Sequence, residues 1–383
     1  MKSPRPWVIV CNPENRRVSM FQSALASRRL PPAEVRSYEG LLSGRESLDD
    51  LPARSIVRFD SPGENFSVER QLLAAGADAA EQEGSPVLSA ETASRLDEDT
   101  GRILHPRQYH LGYMASCRRW FEAIAAQPGV QCTTSYDDLR TQFDKTLCSR
   151  SLAAAGVPAP ESIGIVDDWD DLLQRMEQAS TQRVFAKLAN SSSASGVVAI
   201  EKIGGRVQAI TSVEMVRNGR KLRLYNSLKT RCYTERSQVC DLINELARHR
   251  LHVERWLPKA SLERRVFDLR VLVVGNQPRH MVVRTSRTPL TNLHLGNKRG
   301  DLENFLSQIS EVQLASMLNS CRTCADVFSE SLYFGLDVLF TPGFRDHYVL
   351  ESNAFGDLLP GVTHERCDTY QAEVDAAADG LLY

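Results

Sequence analysis

The fold is most clearly indicated by two short apolar runs, Gly335-Leu336-Asp337-Val338-Leu339-Phe340 and His347-Tyr348-Val349-Leu350-Glu351-Ser352-Asn353. The segment between them contains the turn signal Pro342-Gly343, so the two runs predict a β-hairpin. Glu351 and Asn353 are two residues apart and share a strand face, and Asp337 on the partner strand could reach the same space. Three oxygen-bearing side chains there suit a hard cation such as Mg²⁺. A surface hairpin with its polar face toward water explains the hairpin alone equally well.

The composition is that of an ordinary globular protein. The chain has 383 residues, 42% of them hydrophobic and 25% charged, and its net charge is −2. This length predicts two or three packed units. The near-neutral charge argues against binding nucleic acid or a membrane surface, and no apolar run approaches the roughly 20 residues that span a bilayer. The apolar run Trp7 to Cys11 is too short for a signal peptide and is typical of a first strand.

Nine cysteines are scattered without regular spacing, which does not indicate a disulfide framework. We therefore expect the protein to reside in a reducing cytoplasm. The single Cys-x-x-Cys, Cys321 to Cys324, lies in a stretch with helical periodicity and has no second Cys or His pair. It is better explained by helix-borne core cysteines than by a zinc or redox site.

The N-terminal part alternates short apolar runs with helical patterns, which predicts a small α/β layer. Because ligands of such layers lie at the carboxyl ends of strands, the polar residues there are candidates for holding an acidic or polar substrate. They are Asn12, Arg16, Arg17, Arg58 and Asp60. Solvated loop residues are an equally good interpretation, and no G-x-G-x-x-G indicates a dinucleotide site.

A lysine lies within the apolar strand Val184-Phe185-Ala186-Lys187-Leu188. Burying an ammonium is costly without a partner, so Lys187 is expected to meet an anion. The following loop, Asn190-Ser191-Ser192-Ser193-Ala194-Ser195-Gly196, consists of small residues whose backbone N–H groups could cover phosphate oxygens. A flexible hairpin loop is the alternative.

Two further strands carry paired charges. Asp268 and Arg270 fall on one strand face, and Arg284 lies in the next apolar run. Two arginines could clamp a phosphate or a carboxylate, because guanidinium offers a bidentate fork. Ion pairing with Asp268 or Glu351 is the alternative, and both interpretations can hold together.

Taken in order over about 144–361, these residues resemble the ATP-grasp superfamily, particularly the branch with glutathione synthetase, D-alanine–D-alanine ligase and the glutamate-adding ligases. The ordered set is Lys145, Lys187, the loop Ser191 to Gly196, Glu254-x-Trp256-Leu257, Asp268-x-Arg270, Arg284, Asn292, Asp337 and Glu351-x-Asn353. The sequence departs from the family at two places. The loop has a single glycine, and Lys298 and Arg299 follow the Asn292 segment, where they could add contacts of their own.

The resemblance implies an α/β fold with α+β lobes, in which an N-terminal α/β layer (1–137) precedes two lobes (138–253 and 254–383) that clamp ATP between them. It implies phosphate binding by Lys145 and Lys187 and by a lid that includes Ser193, Ser195 and Gly196. The adenine hinge would be formed by Glu254, Trp256 and Leu257, with Glu254 accepting from the adenine amino group, and Asp268 would lie near the ribose. Arg270 and Arg284 would hold the γ-phosphate or an acyl phosphate, Asn292 would lie beside the substrate, and Asp337, Glu351 and Asn353 would bind Mg²⁺ or Mn²⁺.

The function implied by the resemblance is an ATP- and Mg²⁺-dependent ligase. It would join a carboxylate to an amine or thiol through an acyl phosphate and release ADP and phosphate. Its partners would be small-molecule or peptide substrates, and a homodimer is compatible with the sequence. A nucleotide-binding or scaffold protein that kept the fold without the reaction is the alternative. A protein kinase and a P-loop NTPase are disfavoured because their motifs are absent from the sequence.

Overall fold

The computed structural model describes residues 4–191, 195–219, 221–356 and 359–382. Three β-sheets with helices packed against them make up this part of the chain. The mixed α/β class predicted from the sequence is therefore confirmed. Within these residues, every helix is too short or too polar to cross a bilayer.

The first sheet is parallel and lies in the N-terminal part of the chain, with strand order β2-β1-β3-β4. All five residues of β1, Trp7–Cys11, are buried. The elements of this part are β1 (Trp7–Cys11), α1 (Arg16–Ser27), β2 (Glu34–Ser37), α2 (Tyr38–Leu42), β3 (Ile56–Phe59), α3 (Phe66–Ala75), α4 (Ala77–Gln82), α5 (Ala90–Ser94), α6 (Pro106–Ala125), β4 (Gln131–Cys132) and α7 (Tyr136–Gln142).

The second sheet is antiparallel and has the strand order β5-β10-β6-β7-β8-β9. Its elements are α8 (Lys145–Ala154), β5 (Ser162–Val166), α9 (Trp169–Gln178), β6 (Arg183–Leu188), β7 (Val198–Ile203), β8 (Arg206–Asn218), β9 (Lys221–Tyr233), α10 (Arg236–Ala247) and β10 (Leu251–Arg255). Apolar residues at helical spacing, such as Leu172 on α9 and Leu242 and Leu246 on α10, bury one face of each helix in the core of this sheet.

The third sheet is also antiparallel, with the order β14-β13-β12-β15-β16 and a short strand β11 on β12. Its elements are β11 (Ser261–Leu262), β12 (Arg265–Val274), β13 (Gln277–Ser286), a 3₁₀ turn (Leu293–Leu295), β14 (Lys298–Arg299), α11 (Leu302–Gln308), α12 (Glu311–Val327), β15 (Tyr333–Phe340), a second 3₁₀ turn (Pro342–Phe344), β16 (His347–Asn353) and α13 (Thr369–Ala378). The predicted hairpin is confirmed as β15 and β16, with Asp337 directly opposite Glu351.

The first and third sheets share one hydrophobic core. Phe21 of α1 and Ile9 of β1 pack in the same cluster as Leu272 of β12, Tyr333 of β15 and Tyr370 of α13. The N-terminal layer is therefore fixed on the lobe that carries the hairpin. Cys321 and Cys324 lie buried on α12, as the sequence predicts, and burial raises the pKa of the Cys321 thiol to about 12.

Candidate active site

The hairpin and the two strands beside it place five charged side chains on one face of the third sheet. Asp337 lies opposite both Glu351 and Arg270, and Asp268 lies opposite Arg284. Directly opposed residues of an antiparallel pair share a face, as do residues two apart on one strand. These five residues form what we call the charged row.

Short contacts connect the charged row. Nε of Arg284 donates to Asp268 at 2.8 Å, and Nη2 of Arg284 lies 2.9 Å from Asp337. Nε of Arg270 lies 2.7 Å from the other oxygen of Asp337. All four of these side chains are buried, so water screens their charges poorly. The two interpretations of Arg270 and Arg284 drawn from the sequence are therefore compatible. The guanidinium groups pair with carboxylates, and this pairing fixes them as a cationic surface.

Gly335 and Asn353 continue the same face one step along the hairpin. They are directly opposed, and Nδ2 of Asn353 donates to the carbonyl of Gly335 at 3.5 Å. A Cβ at position 335 would lie 3.0 Å from Nη1 of Arg270, so the guanidinium passes close over Gly335 and would have to shift for a larger residue. Asn353 thus lies beside Glu351, with its amide oxygen as the atom that could meet a cation.

Lys145 brings positive charge to the charged row from the beginning of α8. Its ammonium lies 3.8 Å from Glu351 and donates to the carbonyl of Ser191 at 2.5 Å. Burial would raise the pKa of Glu351, but Lys145, Lys187 and Arg270 outweigh it and lower that pKa to about 2. Glu351 is therefore ionised at neutral pH.

Lys187 on β6 forms a buried ion pair with Glu254 on β10. The prediction that this lysine meets an anion is thereby confirmed. Burial acts to lower the pKa of Lys187, but Glu254 and Glu351 outweigh it, and the pKa is raised. Lys187 is thus charged, and it lies between the β10 strand and the charged row.

The chain after Glu254 passes from the second sheet to the third. The indole of Trp256 packs edge-on against Phe185 with 5.4 Å between ring centroids, and its backbone N–H donates to the carbonyl of Arg183. The N–H of Leu257 has no hydrogen-bond partner among the described residues. A ring nitrogen of a bound base could accept from it.

The small-residue loop that follows Asn190 is described only at its two ends. Ser193 lies outside the described residues. Oγ of Ser195 accepts from Nδ2 of Asn226 at 2.8 Å, and its carbonyl accepts from Oγ of Ser191 at 2.9 Å. Gly196 has φ +67°, a conformation that favours glycine. Ser195, at the C-terminal end of the loop, is therefore hydrogen-bonded to β9, and Ser191, at its start, accepts a hydrogen bond from Lys145.

No protein-family model and no curated protein matches the sequence. Solved structures match its fold. The structure of D-cycloserine synthetase DcsG has a TM-score of 0.56 at 13% identity, covering 98% of this chain and 99% of that one. ATP-grasp ligase PsnB, complexed with a phosphomimetic variant of minimal precursor, Mg and ADP, has a TM-score of 0.52 at 16% identity and 98% coverage of both chains. Macrocyclase MdnC, bound with precursor peptide MdnA from Microcystis aeruginosa MRC, has a TM-score of 0.53 at 11% identity, covering 97% of this chain and 99% of that one.

The chain has the ATP-grasp fold. The resemblance inferred from the ordered residues is thereby confirmed at the level of the fold. The Lys187–Glu254 pair lies on the second sheet, and the charged row lies on the third. Both fall within 144–361, the range over which the sequence resembles the superfamily.

Asp268 contacts three neighbouring side chains. Its carboxylate accepts from Lys259 at 2.9 Å, from Arg284 at 2.8 Å and from Thr291, and the residue is 1% exposed. Asp268 therefore helps to position Arg284, and its contact with a ribose stays a prediction.

Lys259 is the residue of this site that the sequence analysis missed. It is two residues beyond Leu257, and its ammonium also donates to Oγ1 of Thr291 at 2.7 Å. Burial lowers its pKa against the opposing effect of Asp268. The sequence does place this lysine just after the predicted hinge, in Pro258-Lys259. The neighbouring residues do not indicate which carboxylate it contacts.

Asn292 is not brought into the charged row by any contact of the described residues. Its side chain accepts from the backbone N–H of His294 at 2.9 Å and caps the 3₁₀ turn Leu293–Leu295. Thr291 beside it does contact Lys259 and Asp268. The Asn292 segment therefore lies next to the site, with Thr291 as its member in contact.

The N-terminal candidates are structural rather than substrate-binding at three of five positions. Arg58 is fully buried, 3.0 Å from Asp60 and 3.1 Å from Glu373 of α13. Nδ2 of Asn12 donates to the carbonyls of Pro62 and Gly63. The interpretation of Asn12, Arg58 and Asp60 as substrate ligands was wrong because their polar groups fix the first sheet and join it to α13.

Arg16 and Arg17 begin α1 rather than a polar loop, because the side chain of Asn15 caps that helix. Nη1 of Arg17 donates to the carbonyl of Phe355, two residues after Asn353, where the hairpin ends. Arg16 is exposed. Arg17 thus lies near the charged row and stays a candidate for contact with substrate.

A cavity of about 190 Å³ lies away from the charged row, beside the N-terminal layer. Its acidic lining residues include Glu64, Glu69, Asp97, Glu98 and Asp99. Such a surface repels a triphosphate. This cavity is therefore poorly suited to a polyanion.

The donor set of the charged row fits Mg²⁺ held jointly with phosphate. Among the described residues there is no group of three or more His, Cys, Asp or Glu side chains arranged to hold a metal by themselves. Asp337, Glu351 and Asn353 supply only oxygen atoms, which a hard cation prefers, and Mg²⁺ usually completes its shell with phosphate oxygens and water. The cluster contains five cations and four carboxylates, so it carries one excess positive charge that favours an anion. They are Lys145, Lys187, Lys259, Arg270 and Arg284, and Glu254, Asp268, Asp337 and Glu351.

Proposed function

We propose that the protein is an ATP- and Mg²⁺-dependent ligase that activates a carboxylate as an acyl phosphate and joins it to an amine or a thiol. The observation that carries the proposal is the meeting of Lys145 and Lys187 from the second sheet with Glu351 and the arginines of the third. This arrangement lies within the ATP-grasp fold. A site with one excess cation and no candidate nucleophile is suited to phosphoryl transfer, which depends on positioning and charge neutralisation.

Each group has a role in the proposal. The hinge from Glu254 to Leu257 would bind the base, with the free N–H of Leu257 donating to it. Lys145 and Lys187 would hold phosphate oxygens, and Lys187 would exchange part of its contact with Glu254 for them. Asp337, Glu351 and Asn353 would hold Mg²⁺, which neutralises phosphate charge when bound, and Mn²⁺ shares these ligand preferences.

The arginines would act on the acid. A carboxylate is a poor electrophile, and transfer of the γ-phosphoryl group to it gives an acyl phosphate that an amine or thiol can attack with loss of phosphate. Arg270 and Arg284 are fixed by Asp337 and Asp268 before any substrate arrives, so they need little reorganisation to stabilise the charge that develops. Asn292 and Thr291 would border the acceptor.

We also propose the division of labour implied by the resemblance. Residues 138–253 and 254–383 would grip the nucleotide, and residues 1–137 would supply the acceptor side, where Arg17 reaches the loop after β16. An amino acid or a peptide is the substrate class we favour, because PsnB and MdnC are described with precursor peptides and DcsG as a D-cycloserine synthetase. All nine cysteines are unpaired, which supports a reducing cytoplasm as the location.

An ADP-release screen over amino acids and peptides tests this function, with hydroxylamine added as a general nucleophile and mass spectrometry of the products. We expect ADP, phosphate and the hydroxamate of one acid. AMP and pyrophosphate would contradict the acyl-phosphate route. Calorimetry that shows Mg·ATP binding with no product from any acid would favour a nucleotide-binding protein without ligase activity.

A further inference from the structure

Two arginines face each other at the outer end of the charged row. Arg299 on β14 is the direct cross-strand partner of Arg284 on β13. Opposed residues share a face, with Cβ atoms about 5 Å apart, and like charges in such a pair are destabilising. Arg284 faces the site because it contacts Asp268 and Asp337. Arg299 therefore extends the cationic surface of the site by one strand.

The two arginines differ in how their charges are compensated. Arg284 is buried and paired with two carboxylates, whereas Arg299 is exposed. Within the described ranges, Arg299 makes one side-chain hydrogen bond, from Nη1 to the carbonyl of Pro360 at 2.8 Å, and no ion pair. Its remaining N–H donors can bind an anion beside Arg284.

The pairing of β13 and β14 is built into the structure. The N–H of Gly300 donates to the carbonyl of Val283 at 2.8 Å, and Oγ1 of Thr285 donates to the carbonyl of Lys298 at 3.2 Å. A Cβ at position 300 would lie 2.7 Å from Cγ1 of Val283, so glycine is needed for this close approach. The register that opposes the two arginines is thus held on both sides.

We propose that Arg299 determines acceptor specificity by binding a second anionic group of the acid whose reacting carboxylate lies at Arg284. This inference rests on the proposed ligase function. Because the two arginines are direct cross-strand partners on one face of the sheet, both can be engaged by one acid that carries two anionic groups. The substrate class is therefore a dicarboxylate, free or as the C-terminal acidic residue of a peptide, and not a simple monocarboxylate.

Lys298 provides a matched control. It is also exposed and cationic and is the neighbour of Arg299 on the same strand, but its cross-strand partner is Thr285. Alternation along the strand places it on the other face of the sheet. Lys298→Gln and Arg299→Gln remove the same charge within one residue of each other, and only the second removes it from the site face.

The experiment compares N-acetylglutamate with N-acetylglutamine, two acids that differ by one anionic group. Their binding to the full chain saturated with Mg²⁺ and AMPPNP is measured by calorimetry, and their activation is measured as hydroxamate and ADP with ATP and hydroxylamine. We expect wild type and Lys298→Gln to prefer the dicarboxylate by about tenfold, the effect of one charge-assisted pair. Arg299→Gln should reduce the ratio to near one, and Arg299→Lys should restore only part of it because the fork is lost.

A ratio near one in the wild type, no binding of either acid, or an equal loss in Lys298→Gln and Arg299→Gln would overturn the inference. Failure of the ligase function gives a different result. In that case the wild type would still bind N-acetylglutamate more tightly than N-acetylglutamine, and Arg299→Gln would still lack this preference. A wider panel of acids would give neither hydroxamate nor ADP.

Discussion

Arg284 on β13 and Asp337 on β15 lie 2.9 Å apart although β12 separates their strands. The guanidinium of Arg284 crosses β12, where its Nε donates to Asp268, the residue directly opposite Arg284 on that strand. Lys259 holds Asp268 in turn, and Arg270 contacts the other oxygen of Asp337. A continuous chain of charges thus runs from the residue after the hinge to the hairpin, and its members are expected to act together.

Glu351→Gln tests the proposed Mg²⁺-binding end of this chain of charges. Glu351 is ionised at neutral pH and lies 3.8 Å from Lys145, so the neutral amide removes a charged oxygen ligand without changing the shape of the side chain. We expect ADP release with the correct acid to fall about 100-fold or more and thermal unfolding to change little. Glu122→Gln, an exposed carboxylate on α6, is the control and should keep the wild-type rate. A near-normal rate in Glu351→Gln would remove this residue from the site.

Lys187 and Glu254 are expected to depend on each other for stability. Removing either one leaves a buried charge without its partner, so Lys187→Met and Glu254→Gln should each lower the free energy of unfolding by about 3 kcal/mol. The double variant should lose less than the sum of the two. Urea unfolding of all four proteins without nucleotide measures this coupling. Additive losses would show that the pair is not formed in solution.

Lys259→Met tests the positioning role assigned to this lysine. Its ammonium contacts Asp268 and Thr291 and no group at the hinge, so we expect Mg·ATP affinity to stay within about twofold while kcat falls about tenfold. Lys259→Arg keeps the charge and should recover part of kcat. The measurements are calorimetry for nucleotide binding and steady-state ADP release. An equal loss of affinity and kcat would instead place Lys259 on the nucleotide.

Glu373 predicts a pH dependence of stability at the junction of the first and third sheets. Burial raises its pKa from 4.5 to about 7 against the opposing effect of Arg58. Between these values the folded chain keeps a proton that the unfolded chain has released, so this contribution to stability falls as the pH rises from 5 to 7. Glu373→Gln cannot titrate and should gain stability relative to wild type between pH 5 and 8, by about 3 kcal/mol at most.

Asp375→Asn is the control for that experiment. Asp375 lies on the same helix, and its hydrogen bond from Arg28 lowers its pKa, so its contribution to stability is present above its ordinary pKa and is lost only on acidification below it. The stability difference between wild type and this variant should be constant from pH 5 to 8. A constant difference for Glu373→Gln as well would contradict the raised pKa.

The features that the sequence predicts are those with local signals. The hairpin follows from two apolar runs around a Pro-Gly turn, and alternation alone puts Glu351 and Asn353 on one face. The partner of Lys187 could be expected because an unpaired buried ammonium is too costly, although Glu254 could not be named from that reasoning. The order of these and the other charged residues then carried the resemblance to the ATP-grasp superfamily, which implied a role for each.

The features that the sequence did not predict depend on register and on contacts between distant segments. The contacts of Asp268 with Arg284 and Lys259, for example, depend on cross-strand pairing and on the reach of a lysine from another segment. Asp60 directly follows the end of β3, as ligands of α/β layers do, yet it is buried against Arg58, which in turn contacts Glu373 of α13. Such pairings are set by tertiary packing, for which a strand pattern carries no signal.

The central claim is that this chain activates a carboxylate by phosphorylating it. The most direct measurement follows oxygen-18 from the carboxylate of the identified acid during turnover with Mg·ATP and the nucleophile. We predict that one labelled oxygen per turnover appears in the released phosphate, because the acyl-phosphate bond breaks between the carbonyl carbon and that oxygen. Unlabelled phosphate, or label recovered in AMP, would contradict the account.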